Sequence, residues 1–462
     1  MQEMSVDKNL FKKFGKYVSL NMLGMLGVSC YILADTFFIA NGVGAEGIAA
    51  LNLVIPVIQI LNGLGLMIGM GAATRFSLTR AVEPKEVVNA RATVAFALSV
   101  LLSLVFVAIG LFFARPLSSF LGAEGDILDL AESYMRIITL FAPFFMLNFF
   151  IQCFVRNDRD PGLAMRGMVI GSLSNIVLDY IFIYPFGWGM EGAAIATVIS
   201  PIVSLAVMSL HFTSGKNQFA FVNWTQLRQK LSSSRIREEM GTVMTLGLPT
   251  FFSELSLGII VLVFNYLLLS VSGTVAVSAY AIITNLSIVV TALFNGLAQG
   301  AQPLISFAYG EGGLEESGEP RDVRRLFRYG IVSSLGMAVV MYTGIVVFRE
   351  PIAALFNNEN NAELTRIAVQ GLVLYFAAYP FIGLNIFISN SLSAINKPVQ
   401  AFVITLLRGI LLVVPVTLVL AHYFGMTGIW LSAPVFEALT AVVAVAFWKN
   451  RHSRRNVLVK RG

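Results

Sequence analysis

The chain is short of charge. Only 13% of its 462 residues are Asp, Glu, Lys or Arg, against 56% hydrophobic, whereas a soluble domain carries about 25% charged residues. A water-soluble globule of this length would divide into domains with charged surfaces, and this composition excludes one. Cysteine is nearly absent too. Cys30 and Cys153 are the only two, both inside apolar runs, so there is no disulfide framework and no paired redox or metal motif, and both are expected to be small core residues. With three histidines, no GxxxxGK[ST] loop and no HExxH, the chain lacks the parts for ATP hydrolysis or membrane-embedded zinc proteolysis. If such a chain moves solutes, an ion gradient must drive it.

What it has instead is apolar length. A helix crosses the hydrocarbon core with about 20 residues, and twelve such runs lie near 15–40, 48–73, 92–114, 128–153, 163–184, 191–212, 240–270, 275–306, 328–348, 364–391, 399–421 and 426–448. The fold class is therefore an all-α polytopic membrane protein with twelve transmembrane helices. The opening MQEMSVDKNLFKKFGK is polar and basic without a cleavable apolar region, so the first run is expected to be a retained helix. Of the 32 Lys and Arg, all but Arg115, Arg136, Arg349 and Arg366 fall on the side that carries the N-terminus, which puts both termini in the cytoplasm. The net charge of +6 is accounted for by this topology, and no nucleic-acid partner is expected.

The halves repeat. GAEGIAALN from Gly44 aligns with GTVAVSAYA from Gly273, and the same offset of 229 sets Gly71 on Gly300 and Ser77 on Ser306. Pro143, Asn148 and Pro161 align with Pro380, Asn385 and Pro398 at an offset of 237. Parallel repeats of this kind build two pseudo-symmetric six-helix bundles, as in alternating-access transporters. The expected division is an N-terminal lobe at 1–214, a basic cytoplasmic linker at 215–239, and a C-terminal lobe at 240–462 with a basic tail.

Charges within a span cost about 2.5–3.5 kcal/mol each on insertion scales, and few are present. Asp35 follows Tyr31 by one turn in SCYILADTFF, and Asp179 follows Asn175 by four residues in SNIVLDYIF, which puts amide and carboxylate on one helix face. The pair Asp35 and Asp179 suits a cation or proton site, because clustered oxygens replace the shell of a hard ion. Two carboxylates in one dry place resist joint ionisation, so sodium and a proton would compete for it. The alternative is that each simply makes a helix–helix hydrogen bond. Glu254, five residues after Pro249, reads either as a contact to substrate or proton in a central cleft or as a local bond. For Glu437 and Arg408 a partner helix or snorkelling is the plainer reading, and no pattern pairs them. Prolines 56, 143, 201, 249, 303, 380, 415 and 434, with Gly24 and Gly27 in the first span, suggest bendable helices.

The segments YILADTFFIANGVGAEGIAALN at Tyr31, GSLSNIVLDYIFIYPFGWGMEGAAIATVIS at Gly171 and NGLAQGAQPLISFAYGEG at Asn295 resemble the multidrug and toxic compound extrusion (MATE) family, most closely its bacterial multidrug export branch. The resemblance implies a V-shaped bundle of twelve helices in the bacterial inner membrane, monomeric, that exports cationic amphipathic small molecules in exchange for Na+ or H+, with no other cofactor. It also implies a sodium or proton site at Asp35, Asn175, Asp179 and Thr197, with Tyr31 beside it; Glu254, Asn148 and Gln299 are expected as substrate contacts. A second branch of the family pairs a glutamate in the seventh span with an aspartate in the tenth. Glu254 matches the first, but LVLYFAAYPFIGLNIF has no acid. The proline that bends the first helix of some members is also absent. The expected mechanism is antiport by mutual exclusion, and no enzymatic activity is expected. The rival reading within the same superfamily is a lipid-linked oligosaccharide flippase or polysaccharide exporter, against which stands the scarcity of intramembrane Lys and Arg beyond Arg408. A passive channel or scaffold gives no reason for the buried acids.

Overall fold

The computed structural model describes residues 2–213, 215, 217–311, 320–355 and 361–450. Among the described residues there is no strand, and the chain is a succession of helices. They are α1 (Gln2–Gly42), α2 (Ala45–Thr79), α3 (Lys85–Phe112), α4 (Ala114–Phe120), α5 (Gly125–Leu140), α6 (Ala142–Asn157), α7 (Pro161–Ile183), α8 (Gly189–Thr213) and α9 (Trp224–Lys230) in the first half. In the second half are α10 (Ser233–Glu311), α11 (Arg321–Val347), α12 (Arg349–Leu355), α13 (Ala362–Phe376), α14 (Tyr379–Ala394), α15 (Pro398–Leu406), a π turn (Leu407–Leu411) and α16 (Val413–Lys449).

Two of these are hairpins. In α10, Phe264 and Tyr280 stack with ring centroids 5.2 Å apart, although a straight helix would hold them about 24 Å apart. The reversal falls at Gly273, whose φ of 68° suits a residue without Cβ, and it leaves the legs Ser233–Val271 and Gly273–Glu311. In α16, Gly425 leaves helical geometry, and Thr417 Oγ1 donates to Ser432 Oγ at 3.1 Å. Among the described residues nine helices are long and apolar enough to cross a bilayer, and the bent pairs α5–α6 (49°) and α13–α14 (42°) raise the number to eleven. Counting 398–424 and 426–449 as separate legs gives the twelve crossings expected from the sequence.

The repeat is visible in the backbone. Pro143 and Pro380, matched in sequence, each sit in the first turn of the helix that follows a bend, where a missing N–H costs nothing. Arg159 and Asn396, at the same offset, are the two non-glycine residues with positive φ among the described residues (69° and 60°). Each lies two positions before the proline that starts α7 or α15. Each half buries its own core, the first including Leu61, Tyr134 and Phe150, the second including Phe264, Phe376 and Trp430.

The halves meet near the end that carries the N-terminus. A Cβ on Gly247 would strike the Met67 carbonyl, and one on Gly71 would strike that of Val243, so α2 and α10 touch backbone to backbone. The second leg of α10 lies as closely on α1, where a Cβ on Gly300 would stand 2.9 Å from the Tyr17 carbonyl oxygen. The other end of α1 turns to α7, with Gly42 against Ile183 and Tyr184. Small residues permit this intimacy in a bilayer. Gly24 and Gly27, expected as points of bending, instead lie in an unbroken helix and make room for Met168 and Val169 of α7.

The expected linker is docked. Phe219 is buried among Phe76, Phe154 and Phe212, and the backbone amides of Gln218, Ala220 and Val222 donate to Asp158, Asn89 and Thr93. Cys153 is buried as expected, whereas Cys30 is exposed. On α1 it lies off the stripe of Asn21, Asp35 and Ile39 that packs inward.

Candidate functional site

Four helices converge on the acids of the first bundle. Asp35 comes from α1, Asn175 and Asp179 from one face of α7, Thr197 from α8 and Tyr134 from α5. The approach of α7 to α8 follows from Gly171, whose carbonyl accepts a hydrogen bond from Ser200 Oγ at 2.9 Å, and whose Cβ would have stood 3.0 Å from the Ser200 carbonyl oxygen. Asn175 and Asp179 are wholly buried and Asp35 is 9% exposed. The two carboxyls lie within hydrogen-bonding reach of each other. Tyr31, half-buried, faces both of them.

Among the described residues no guanidinium or ammonium acts on either acid. The groups that face them are Tyr31, Tyr134 and Thr197. An ionised carboxylate only accepts hydrogen bonds, so the contact between the two acids is a bond only when one holds a proton. With both ionised, Asp35 Oδ1, both Asp179 oxygens, both polar atoms of the Asn175 amide and Thr197 Oγ1 are buried without a protein partner. Uncompensated buried charge is among the costliest arrangements in a protein. Two carboxylates, an amide oxygen and a hydroxyl form a hard-oxygen set that suits sodium or a proton. Among the described residues no three His, Cys, Asp or Glu gather as a metal-binding group. Tyr134, 1% exposed and beside Thr197, was missed in the sequence.

The other expected residues lie elsewhere. Glu254 is half-buried on the side of α10 that meets α2, with its Cβ 3.5 Å from where a Cβ on Gly63 would be. Asn148 is half-buried with Oδ1 unpartnered. Gln299 lies in a junction between the halves, where it accepts from Arg156 Nη1 at 3.2 Å. Arg156, which the sequence groups with the cytoplasmic cations, is enclosed by protein. It is 1% exposed, bonds Asn21 Oδ1 of α1 at 2.6 Å, and lies against Met70 and Cys153. Asn21 in turn donates to the Gly296 carbonyl. Beside it Asn157 accepts from Ser77 and donates to Gln302, which donates to Thr74. Arg80, just past α2, lies over the Phe307 ring at 4.3 Å. Burial and neighbouring Arg159 hold it below the usual arginine range.

The second bundle does pair its charges. Arg408 donates from Nε (3.1 Å) and Nη2 (2.9 Å) to Glu437 Oε1, and Asn385 donates to Glu437 Oε2 at 2.6 Å. The snorkelling alternative for these two is thereby set aside.

The MatE family model matches residues 21–181 and 249–419. The multidrug export protein MepA of Staphylococcus aureus is 26% identical over 439 residues, covering 94% of this chain and 93% of that protein. Its namesake in Staphylococcus saprophyticus is 25% identical over 441 residues, covering 95% and 93%. Among solved structures, an outward-facing multidrug resistance MATE family transporter of the MOP superfamily superposes with a TM-score of 0.87 at 24% identity, covering 96% of each chain. A mutant of the Vibrio cholerae MATE transporter VcmN does so with a TM-score of 0.87 at 21%, covering 98% and 99%.

Proposed function

The chain belongs to the MatE family of membrane transporters, and on that premise we propose that it is a secondary active multidrug exporter that expels cationic, amphipathic small molecules as sodium or a proton moves inward. The observation that carries this reading is the acid pair of Asp35 and Asp179, buried together with no cation among the described residues to neutralise it. Such a pair demands an exchangeable positive charge. Asn175 and Thr197 complete the oxygen set, and Tyr31 and Tyr134 wall it.

The cycle follows from charge balance. The halves are joined near the end that carries the N-terminus, read as cytoplasmic, and the cycle begins with the opposite end opening to the outside. An ion taken up from outside neutralises Asp35 and Asp179, the outer half of α1 repacks on α7, and the drug's place in the cleft is weakened. Drug leaves. For the two lobes, 1–214 and 240–462, to rock inward, the Arg156 contacts to Asn21 and Gln299 must part and reform on the return. The ion is then released to the cytoplasm, and Glu254, half-buried and without an ion pair among the described residues, receives the next cation. One charge moved through 100 mV supplies about 2.3 kcal/mol.

The protein is read as a monomer in the bacterial inner membrane with both termini cytoplasmic. Ethidium efflux from inside-out vesicles, under a sodium gradient alone and then a proton gradient alone, tests the proposal. One gradient should suffice, and Asp179→Asn should abolish its effect. Wild-type protein that responds to neither gradient with several cationic dyes would contradict it.

A further inference from the structure

Beside the Arg408–Glu437 pair is a cavity lined by six polar side chains, Ser253, Asn295 and Arg408 itself among them, and by Leu257, Ile260 and Ile386. The π turn Leu407–Leu411 forms part of its wall. Such turns widen the helix by one residue and recur at functional sites. This one closes on α10 at Gly409, where any Cβ would collide with the Ser256 side chain. The turn thereby sets the Arg408 side chain at the cavity's edge, 14% exposed against 2% for Glu437.

Glu437 is satisfied on both oxygens, by Arg408 on one and Asn385 on the other. Arg408 is not. Its Nη1 is bonded to no protein group among the described residues, and the same holds for the Asn295 amide and the Ser253 hydroxyl, all lining one space. A guanidinium fork, an amide and a hydroxyl are donors whose natural complement is a planar acceptor. Because Glu437 already balances the charge, the group admitted is one that rewards directed hydrogen bonds. One position along α10 from Ser253, Glu254 is half-buried with no ion pair among the described residues, as a seat for a cation.

We propose that the C-terminal bundle holds an acceptor subsite, formed by Arg408, Asn295 and Ser253, for the carboxylate of a zwitterionic substrate. The inference rests on the export reading and extends it from cations to zwitterions. Rhodamine 123 and rhodamine 110, a cationic methyl ester and its zwitterionic free acid, are a matched pair of probes. Their affinities for purified full-length protein are read by fluorescence anisotropy. Arg408→Gln/Glu437→Gln, which removes both charges together and leaves neither buried alone, should lower the affinity for rhodamine 110 relative to rhodamine 123 by about tenfold or more. Asn295→Ala, which leaves the ion pair intact, should lower the same ratio by about threefold and stands in if the double variant does not fold. An unchanged ratio in both variants, or wild type that binds only the ester, overturns the subsite while export of cations stands. Wild type that binds neither dye overturns the export reading, and the subsite with it.

Discussion

The two bundles descend from one plan and treat buried charge in opposite ways. In the second, Glu437 lies against Arg408 and Asn385, and every carboxylate oxygen has a donor. In the first, Asp35 and Asp179 lie against each other, and the oxygens of Asp179 have none. The repeat mates Asn148 and Asn385 mark the divergence: both leave Oδ1 unpartnered, but among the described residues only Asn385 donates its amide to an acid. A charge that finds its partner within the fold is fixed, and one that lacks a partner must borrow a positive charge from outside. The partnered acid of the second bundle is scaffold, and the unpartnered pair of the first is an exchangeable site.

Mutations sharpen the contrast. The largest effect is expected at the acids, where Asp35→Asn or Asp179→Asn should cut gradient-driven ethidium export to background while the protein still reaches the membrane. Full export by both variants would remove the site. Next comes stability in detergent, where the bundles should differ in sign. Glu437→Gln strands a buried guanidinium and should cost about 3–5 kcal/mol, seen as a lower melting temperature. Asp179→Asn relieves a repulsion and should not lower it in sodium-free buffer. A fall in both would mean that the first bundle's acids are structural after all.

If sodium is the coupling ion, saturating it at about 100 times its dissociation constant should stabilise wild type by about 2.7 kcal/mol and leave Asp179→Asn unmoved, by thermal unfolding. The smallest effect belongs to Tyr134→Phe, which removes one hydroxyl beside Thr197. About 0.5–1.5 kcal/mol corresponds to a roughly two- to tenfold weaker ion dependence of transport, with no loss of maximal rate.

Much of the fold was legible because a bilayer imposes a simple code. Apolar length marked the spans, and matched prolines at 143 and 380 marked the two bends. Asn175 and Asp179 stood out because four residues apart is one turn of helix and because their surroundings are apolar. Tyr134 did not, since a tyrosine near a span end is an ordinary interfacial residue. Arg156, in the run RNDRD, looked like part of a cytoplasmic loop, and only packing of α6 against both halves shows it enclosed. The Arg408–Glu437 pair spans 29 positions and two helices, which leaves no local pattern to read. Gly24 and Gly27 misled for a related reason, since a glycine that admits a neighbour and one that bends a helix look alike in sequence.

The account turns on mutual exclusion at Asp35 and Asp179, and displacement measures that most directly. Purified protein, weakly buffered and loaded with sodium or protons, is titrated with ethidium while free sodium and pH are recorded. The account predicts that dye binding releases one of the two ions, and that Asp179→Asn binds dye and releases neither. Dye bound by wild type with no ion displaced, or the same release from the variant, would contradict it.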